Sequence, residues 1–315
     1  MMRLGTRASA LARTQSAWVA RKLVAGGEGD SDGFQLVNVS THGDRDRTSP
    51  LTRIGGTGVF VSAVREALLA GEVDVVVHSL KDLPTLPADG IRLAAVPVRE
   101  NPADALVTRE GNAGGLDSIP RGGRVGTGSP RRAAQLMLAR PDLEVVPIRG
   151  NIETRMAYAE RGELDAVVLA AAGLHRLGFE DRIAESFDPW QFLPAPAQGA
   201  LAVEVREDLD RESDLARALD ALDHRPTRFA TIAERTLLRA LEAGCSAPVA
   251  AFAEVTDDNR LVLKAGVYGR NTHLVRESRT DTPVTAASAE AAGRALAESM
   301  LAAGARDLLA EEWLA

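Results

Sequence analysis

Two ten-residue stretches, GEVDVVVHSL at 71–80 and GELDAVVLAA at 162–171, repeat one plan and restrict the fold more than any other feature. Each reads as a helix end, a Gly-Glu turn and a strand whose apolar run is continuous rather than alternating. Such a strand is covered on both faces, as in a parallel sheet lined by helices. A second pair, RLGTRASALARTQ at 3–15 and RVGTGSPRRAAQ at 124–135, supports the duplication. Both read as a short strand, Gly-Thr, a small polar turn and a helix bearing arginine and glutamine. The predicted fold class is α/β, with two similar lobes.

Strand-to-helix turns of such sheets lie at the carboxyl ends of the strands, where ligands bind. Two related lobes therefore predict two turns facing each other across a cleft. The proline-containing stretches RENPADA (99–105) and LPAPAQGA (193–200) are the candidate crossovers. A chain that leaves one lobe, builds the second and returns has the hinge arrangement of two-lobed binding proteins. After LDHRPTRFA (222–230) the pattern changes to a helix, a GCSAP turn, alternating runs around Asp257-Asp258-Asn259 that predict a hairpin, and an alanine-rich helical end at 285–314. The expected division is lobe 1 at 1–100 with 200–219, lobe 2 at 101–199, and a smaller C-terminal α+β domain at 220–315.

Composition narrows the function classes. The chain has 315 residues and a net charge of -7, which disfavours nucleic acid as a partner. No run approaches the roughly 18 apolar residues of a membrane span. The start of the chain lacks a signal peptide's apolar core, and the single cysteine, Cys245, forms no internal disulfide; both predict a cytoplasmic protein. Scattered histidines and one cysteine give no metal-ligand spacing. Basic residues comprise 34 arginines and three lysines, Lys22, Lys81 and Lys264. Arginine is the better fork for carboxylates and keeps its charge.

The residues able to carry chemistry fall at the predicted turns. HSLKDLP (78–84) ends a buried strand with Ser79, Lys81 and Asp82. GTGSPRR (126–132) sets Thr127 and Ser129 at a helix start, where the dipole favours an anion, and adds Arg131 and Arg132. IRGNIETR (148–155) supplies Arg149, Asn151 and Arg155, and the turn of the first lobe supplies Arg7 and Ser9. Together they predict an anion-binding cleft. The glycine-rich TRIGGTGVF (52–60) lacks the ending of a phosphate-binding loop and reads as a lid.

Seven motifs in register then carry a resemblance. GTRASALA, VVVHSLKDLP, VGTGSPRR, IRGNIETR, AAAGLHRLG, LPAPAQGA and ERTLLRALEAGCSAP occur in this order, and the chain from about residue 3 resembles the porphobilinogen deaminases. The resemblance implies two lobes like those of periplasmic binding proteins flanking a cleft, with a smaller C-terminal α+β domain. It implies a dipyrromethane cofactor, self-assembled from substrate and tethered by a thioether to Cys245. On it four porphobilinogens join head to tail, ammonia leaves at each step, and hydroxymethylbilane is released by hydrolysis, a step of haem biosynthesis. Asp82 matches the family's catalytic aspartate, which steadies the positive azafulvene. Ser79, Lys81, Thr127, Ser129, Arg131, Arg132, Arg149, Asn151 and Arg155 match cofactor-binding positions. Arg7, Ser9, Arg149, Arg155, Arg176 and Gln198 match substrate-binding positions. No metal and no membrane or nucleic-acid partner is implied, and a monomer is expected.

The chain departs from the common pattern at Thr57, where bacterial relatives have lysine, at Gly128 and Pro130 in place of Ser and Leu, and at Ala243 and Ala247 around the cysteine. A non-catalytic two-lobed carboxylate-binding protein explains the arginines, but it needs neither Cys245 nor a third domain. A thiol-dependent hydrolase explains the cysteine, but no base accompanies it.

Overall fold

The computed structural model describes residues 1–24, 33–39, 58–109, 114–243, 247–270 and 272–311. Thr57 and Cys245, with most of the glycine-rich stretch at 52–60, lie outside the described residues. The chain divides into two compact units, Met1–Arg99 with Ala200–Arg228, and Glu100–Gly199 with Phe229–Ala315. The first two changes of unit fall within the two proline-containing stretches at 99–105 and 193–200, and the third falls between Arg228 and Phe229.

In the first unit, β1 (Met2–Thr6) pairs in parallel with β2 (Phe34–Asn38) and with β3 (Val75–Ser79). Strand β10 (Leu201–Arg206) returns antiparallel between β3 and β4 (Ile91–Ala95), giving the order β2-β1-β3-β10-β4. The continuous valine run of β3 has a physical cause. Val75 and Val77 point into a core shared with α1 (Ala10–Leu23) and α6 (Asp214–Leu222), while Val76 points to the opposite face, against α2 (Gly58–Leu69). Successive strand residues alternate faces, so a sheet with helices on both sides needs every position apolar.

The second unit repeats this arrangement. Its order is β7 (Glu144–Pro147), β6 (Arg124–Thr127), β8 (Ala166–Ala170), β5 (Asp104–Thr108) and β9 (Glu185–Ser186). Strands β6, β7 and β8 are parallel and β5 is antiparallel to both of its neighbours, so β5 takes the place that β10 has in the first sheet. One face packs on α4 (Ile152–Glu160) and α5 (Ala171–Arg176), the other on Leu136 of α3 (Pro130–Ala139). Gly126 of β6 is required by packing, since a Cβ there would lie 2.6 Å from the Leu164 side chain.

The same unit contains an antiparallel sheet of β11 (Val249–Val255), β12 (Leu261–Tyr268) and β13 (His273–Arg279). The predicted hairpin is β11–β12, turning through Asn259 at φ +56. Helix α7 (Arg225–Ala240) and helix α8 (Ala286–Ala302) share its core through Leu237, Leu296 and Met300. The alanine-rich end is two helices rather than one, because Gly304 at φ +94 separates α8 from α9 (Ala305–Leu309).

One buried carboxylate fastens this sheet to the segment that leads out of the unit. Glu234 of α7 accepts the Ala197 N–H through Oε2 at 2.5 Å and the Ala253 N–H through Oε1 at 2.7 Å. Ala197 is fully buried at φ +63, a conformation costing an alanine roughly 1–2 kcal/mol, and the clamp holds it there. Glu234→Leu leaves two buried N–H groups unsatisfied and is expected to cost about 2–6 kcal/mol. The check is urea unfolding: the midpoint should fall with the slope unchanged, and a loss under about 1 kcal/mol would show that the clamp is dispensable.

Candidate functional site

In the first unit the polar residues follow β1 and β3. Ser9 caps α1, its Oγ accepting the Ala12 N–H at 3.3 Å, and half-buried Arg7 lies just before it. Strand β3 runs into a single 3-10 turn, Leu80–Asp82. Leu80 and Leu83 are buried, the Leu80 N–H donates to Ala200 O at 3.0 Å, and the Leu83 N–H donates to Leu80 O at 3.2 Å. Anchoring both leucines turns the residues between them outward: Asp82 is exposed and Lys81 half-buried. That is why the sequence alternates as Leu-Lys-Asp-Leu.

Two supports of this turn were not evident in the sequence. Buried Gln15 of α1 donates from Nε2 to Ser79 Oγ at 2.9 Å. Behind β3, Glu204 of β10 is buried and takes Arg65 through both oxygens, at 2.6 and 2.9 Å, with His78 Nε2 at 3.3 Å. Burial pushes the Glu204 carboxyl up, but the bonds from Arg65 and His78 outweigh it and bring the group down to about 2.

In the second unit the predicted arginines converge on a residue that sequence reading missed. Asp104, the first residue of β5, is fully buried. Its Oδ2 accepts Arg131 Nη1 at 2.7 Å, and its Oδ1 accepts Arg132 Nε at 2.8 Å and Gln198 Nε2 at 2.8 Å, while Arg132 Nη2 is ion-paired with Oδ1 at 2.7 Å and donates to Gln198 Oε1 at 3.4 Å. Arg132 also donates to Val168 O, and Arg131 Nη1 donates to Leu193 O at 2.5 Å. Burial would raise the Asp104 carboxyl, yet the charges of Arg131 and Arg132 and their hydrogen bonds hold it well below the usual carboxylate range. The available signal was a charged residue opening the buried run DALVT, which only the arginines far along the chain explain.

Two guanidinium groups share this one carboxylate, and a third lies close to them without one. Arg155 donates its Nε–H to Gly150 O at 2.8 Å and has no carboxylate partner among the described residues. Burial and then the charge of Arg132 push it below the ordinary arginine value. Arg131 Nε is buried with no hydrogen-bond partner. Arg176 donates to Gly199 O at 2.7 Å and is pushed down to about 10 by burial, with Glu100 acting the other way.

The predicted hydroxyl and amide positions have local duties as well. Thr127 is fully buried and its Oγ1 accepts the Ser129 N–H at 3.2 Å. Ser129 caps α3, and Asn151 caps α4 by accepting the Thr154 N–H at 2.9 Å. Gly128 departs from the common pattern at a place without room, since a Cβ there would lie 2.6 Å from Ile148 O. Arg149 is exposed. The structure thus gathers Arg131, Arg132 and Gln198 about Asp104, with Arg155 near enough to Arg132 to feel its charge and with Thr127 and Ser129 at the adjoining helix start. Arg7, Ser9, Ser79, Lys81 and Asp82 belong to the other unit. On either side of residues 244–246, the Ala243 N–H donates to Leu238 O at 3.3 Å and the Val249 N–H to Ala247 O at 2.8 Å. No helix among the described residues is long and apolar enough to cross a membrane.

Comparison with known proteins agrees with the motifs. Residues 2–214 match the family described as porphobilinogen deaminase, dipyromethane cofactor binding domain, and residues 229–302 match porphobilinogen deaminase, C-terminal domain. A porphobilinogen deaminase of Thermobifida fusca is 52% identical over 314 residues, covering 98% of this chain and 96% of that protein. Porphobilinogen deaminase 1 of Streptomyces avermitilis is 51% identical over 325 residues, covering 98% of each. With two family matches in chain order and half of its residues shared with relatives along nearly their whole length, the chain belongs to the porphobilinogen deaminase family.

Proposed function

We propose that this chain is a hydroxymethylbilane synthase, joining four porphobilinogens head to tail on a dipyrromethane held by Cys245, with loss of ammonia at each step and hydrolytic release of the product. The observation that carries the reading is full-length family membership in a chain that retains Cys245 and Asp82. The residues present fit the cofactor. Each of its pyrroles bears an acetate and a propionate, and the buried Arg131 and Arg132 and half-buried Arg155, with Asp104 as the one carboxylate ion-paired among them in the described residues, have the opposite need. When bound, the dipyrromethane supplies the pyrrole carbon from which the chain is extended.

The protein's own residues do the rest. Arg131, Arg132 and Arg155 hold carboxylates of the cofactor by charge-assisted bonds, with Ser79, Lys81, Thr127, Ser129, Arg149 and Asn151 as polar neighbours. Arg7, Ser9, Arg149, Arg155, Arg176 and Gln198 receive the incoming substrate. As the aminomethyl C–N bond of that substrate breaks, positive charge spreads over its ring. Asp82, exposed on a turn fixed by two buried leucines, stabilises that charge. A carboxylate 4 Å from such a cation contributes roughly 4 kcal/mol at an effective dielectric of 20.

The division proposed is 1–100 with 200–219, 101–199, and a C-terminal domain at 220–315 that carries the tether. The separate family matches to 2–214 and 229–302 support its last boundary. We place the enzyme in the cytoplasm as a monomer with no nucleic-acid partner, in keeping with its single cysteine and net charge of -7.

Two measurements test the reading. Intact-mass analysis should show an adduct of two pyrrole units on the purified chain, resistant to thiol reductants because a thioether is not a disulfide. Cys245→Ala should lack both adduct and activity, and an unmodified but active parent chain would overturn the assignment. For Asp82→Asn, supplied with preformed cofactor, turnover should fall by about two to three orders of magnitude, as for the loss of one preorganised electrostatic group. Asp82→Glu keeps the charge and should retain more activity. Elongation by Asp82→Asn at the parent rate would reduce Asp82 to part of a turn.

A further inference from the structure

Within the second unit, Arg131 and Arg132 are buried and Arg155 is half-buried, and Asp104 is the one carboxylate ion-paired with any of them among the described residues. Three cations against one anion leave a surplus of two positive charges. Charge removed from water is costly unless compensated, and mutual repulsion adds to the cost. The surplus is visible in the bonding: Arg131 Nε has no partner, and Arg155 has only a backbone carbonyl. Arg132, in contrast, is tied down, with Nε and Nη2 on Asp104 and Nη1 on Val168 O. Asp104 in turn is held by Gln198, whose Nε2 also donates to Pro102 O at 2.8 Å.

We propose that Asp104 is a positioning residue that acts as the fixed internal counter-anion of this cluster, orienting Arg131 and Arg132 and leaving a deficit of two negative charges that one dicarboxylate unit fills. Asp104 touches no ligand itself. A second internal carboxylate would halve the deficit, and none at all would leave the arginines unoriented and mutually repelling. The proposal deepens the reading above, since one pyrrole ring with its acetate and propionate carries the two charges required.

The consequence that separates this from an ordinary structural ion pair is that the empty chain is destabilised by its own ligand-binding charge. The test uses the full-length chain in the Cys245→Ala background, melted in sodium succinate and in sodium chloride at matched ionic strength. Succinate should raise the melting temperature above the chloride value by about 2–4 °C. Arg155→Leu in that background should melt higher than its parent in chloride and respond less to succinate, although the same substitution on the Cys245 chain should lower the fraction carrying the adduct. Asp104→Asn should melt lower in chloride and respond more strongly to succinate, with Asp104→Glu returning towards the parent. A merely structural Asp104 would lower the melting temperature equally in both salts. If Asp104→Asn does not fold, Arg155→Leu decides alone: a lower melting temperature in chloride, or an undiminished succinate response, overturns the proposal. Adduct mass on the Cys245 chain separates the two claims. A loaded chain whose empty form ignores succinate sinks this proposal and spares the function; an unloaded chain whose empty form responds does the reverse.

Discussion

Asp104 keeps its charge in the protein interior, and much of the second unit is arranged to permit that. An ionised carboxylate without solvent needs every lone pair engaged and a cation close by. Arg131, Arg132 and Gln198 meet that need, and each is held by something else in turn. Arg131 and Gln135 of α3 both donate to Leu193 O, and Gln135 returns an acceptor to the Leu193 N–H at 2.7 Å. The same Gln135 oxygen accepts the Tyr268 hydroxyl of β12 at 2.9 Å. Burial raises that phenol above its ordinary value, so it remains a donor at physiological pH. Helix α3, the segment at 193–198 and the antiparallel sheet are thereby joined through one polar chain, and a polar network of this kind rigidifies when all its members are satisfied.

The duplicated architecture shows how the two units have diverged in charge. Counting from the capping serines, Ser9 and Ser129, the helices share a buried glutamine, Gln15 and Gln135, in the same position. The positions between differ: Leu11 and Ala12 stand where the other helix has Arg131 and Arg132. The antiparallel strands differ in the same way. Leu201 pairs with Ser79 at the end of β3, whereas Asp104 pairs with Ala170 at the end of β8. At these matching positions one copy carries a buried ion cluster and the other carries apolar side chains. The first copy instead places Lys81 and Asp82 outside, on the turn that follows its strand.

The legible parts of this chain were those set by local pattern. The valine runs announced doubly covered strands because both faces of each sheet are packed, and alternation around Asp257-Asp258-Asn259 announced β11 and β12 because one face of that sheet is core. Strand β13 escaped notice, since HLVRESR is mostly polar and lies at the sheet edge, where burial does not impose a period. The arginines of the candidate site were legible as types, but what they bond was not. Asp104 read as part of a linker, and Gln15, Gln135 and Glu234 read as ordinary helix residues, because their partners are distant in sequence and become neighbours only in the folded chain. Thr127, Ser129 and Asn151 were legible as polar turn residues, and the structure adds that each already serves a turn or a cap.

The place of β10 between β3 and β4 bears on how the chain is made. Those two strands leave the ribosome early, yet the strand that separates them arrives only after the segment from 96 to 200, which takes on the order of 5–20 s to synthesise. Until then β3 and β4 each have an unpaired edge, one of them lined with valine, and such edges are templates for wrong association. The second unit's five-stranded sheet is contiguous in sequence, from β5 to β9, and suffers no such delay. The amino-terminal unit is therefore the later of the two to complete its sheet, and during translation it is the unit most in need of a chaperone.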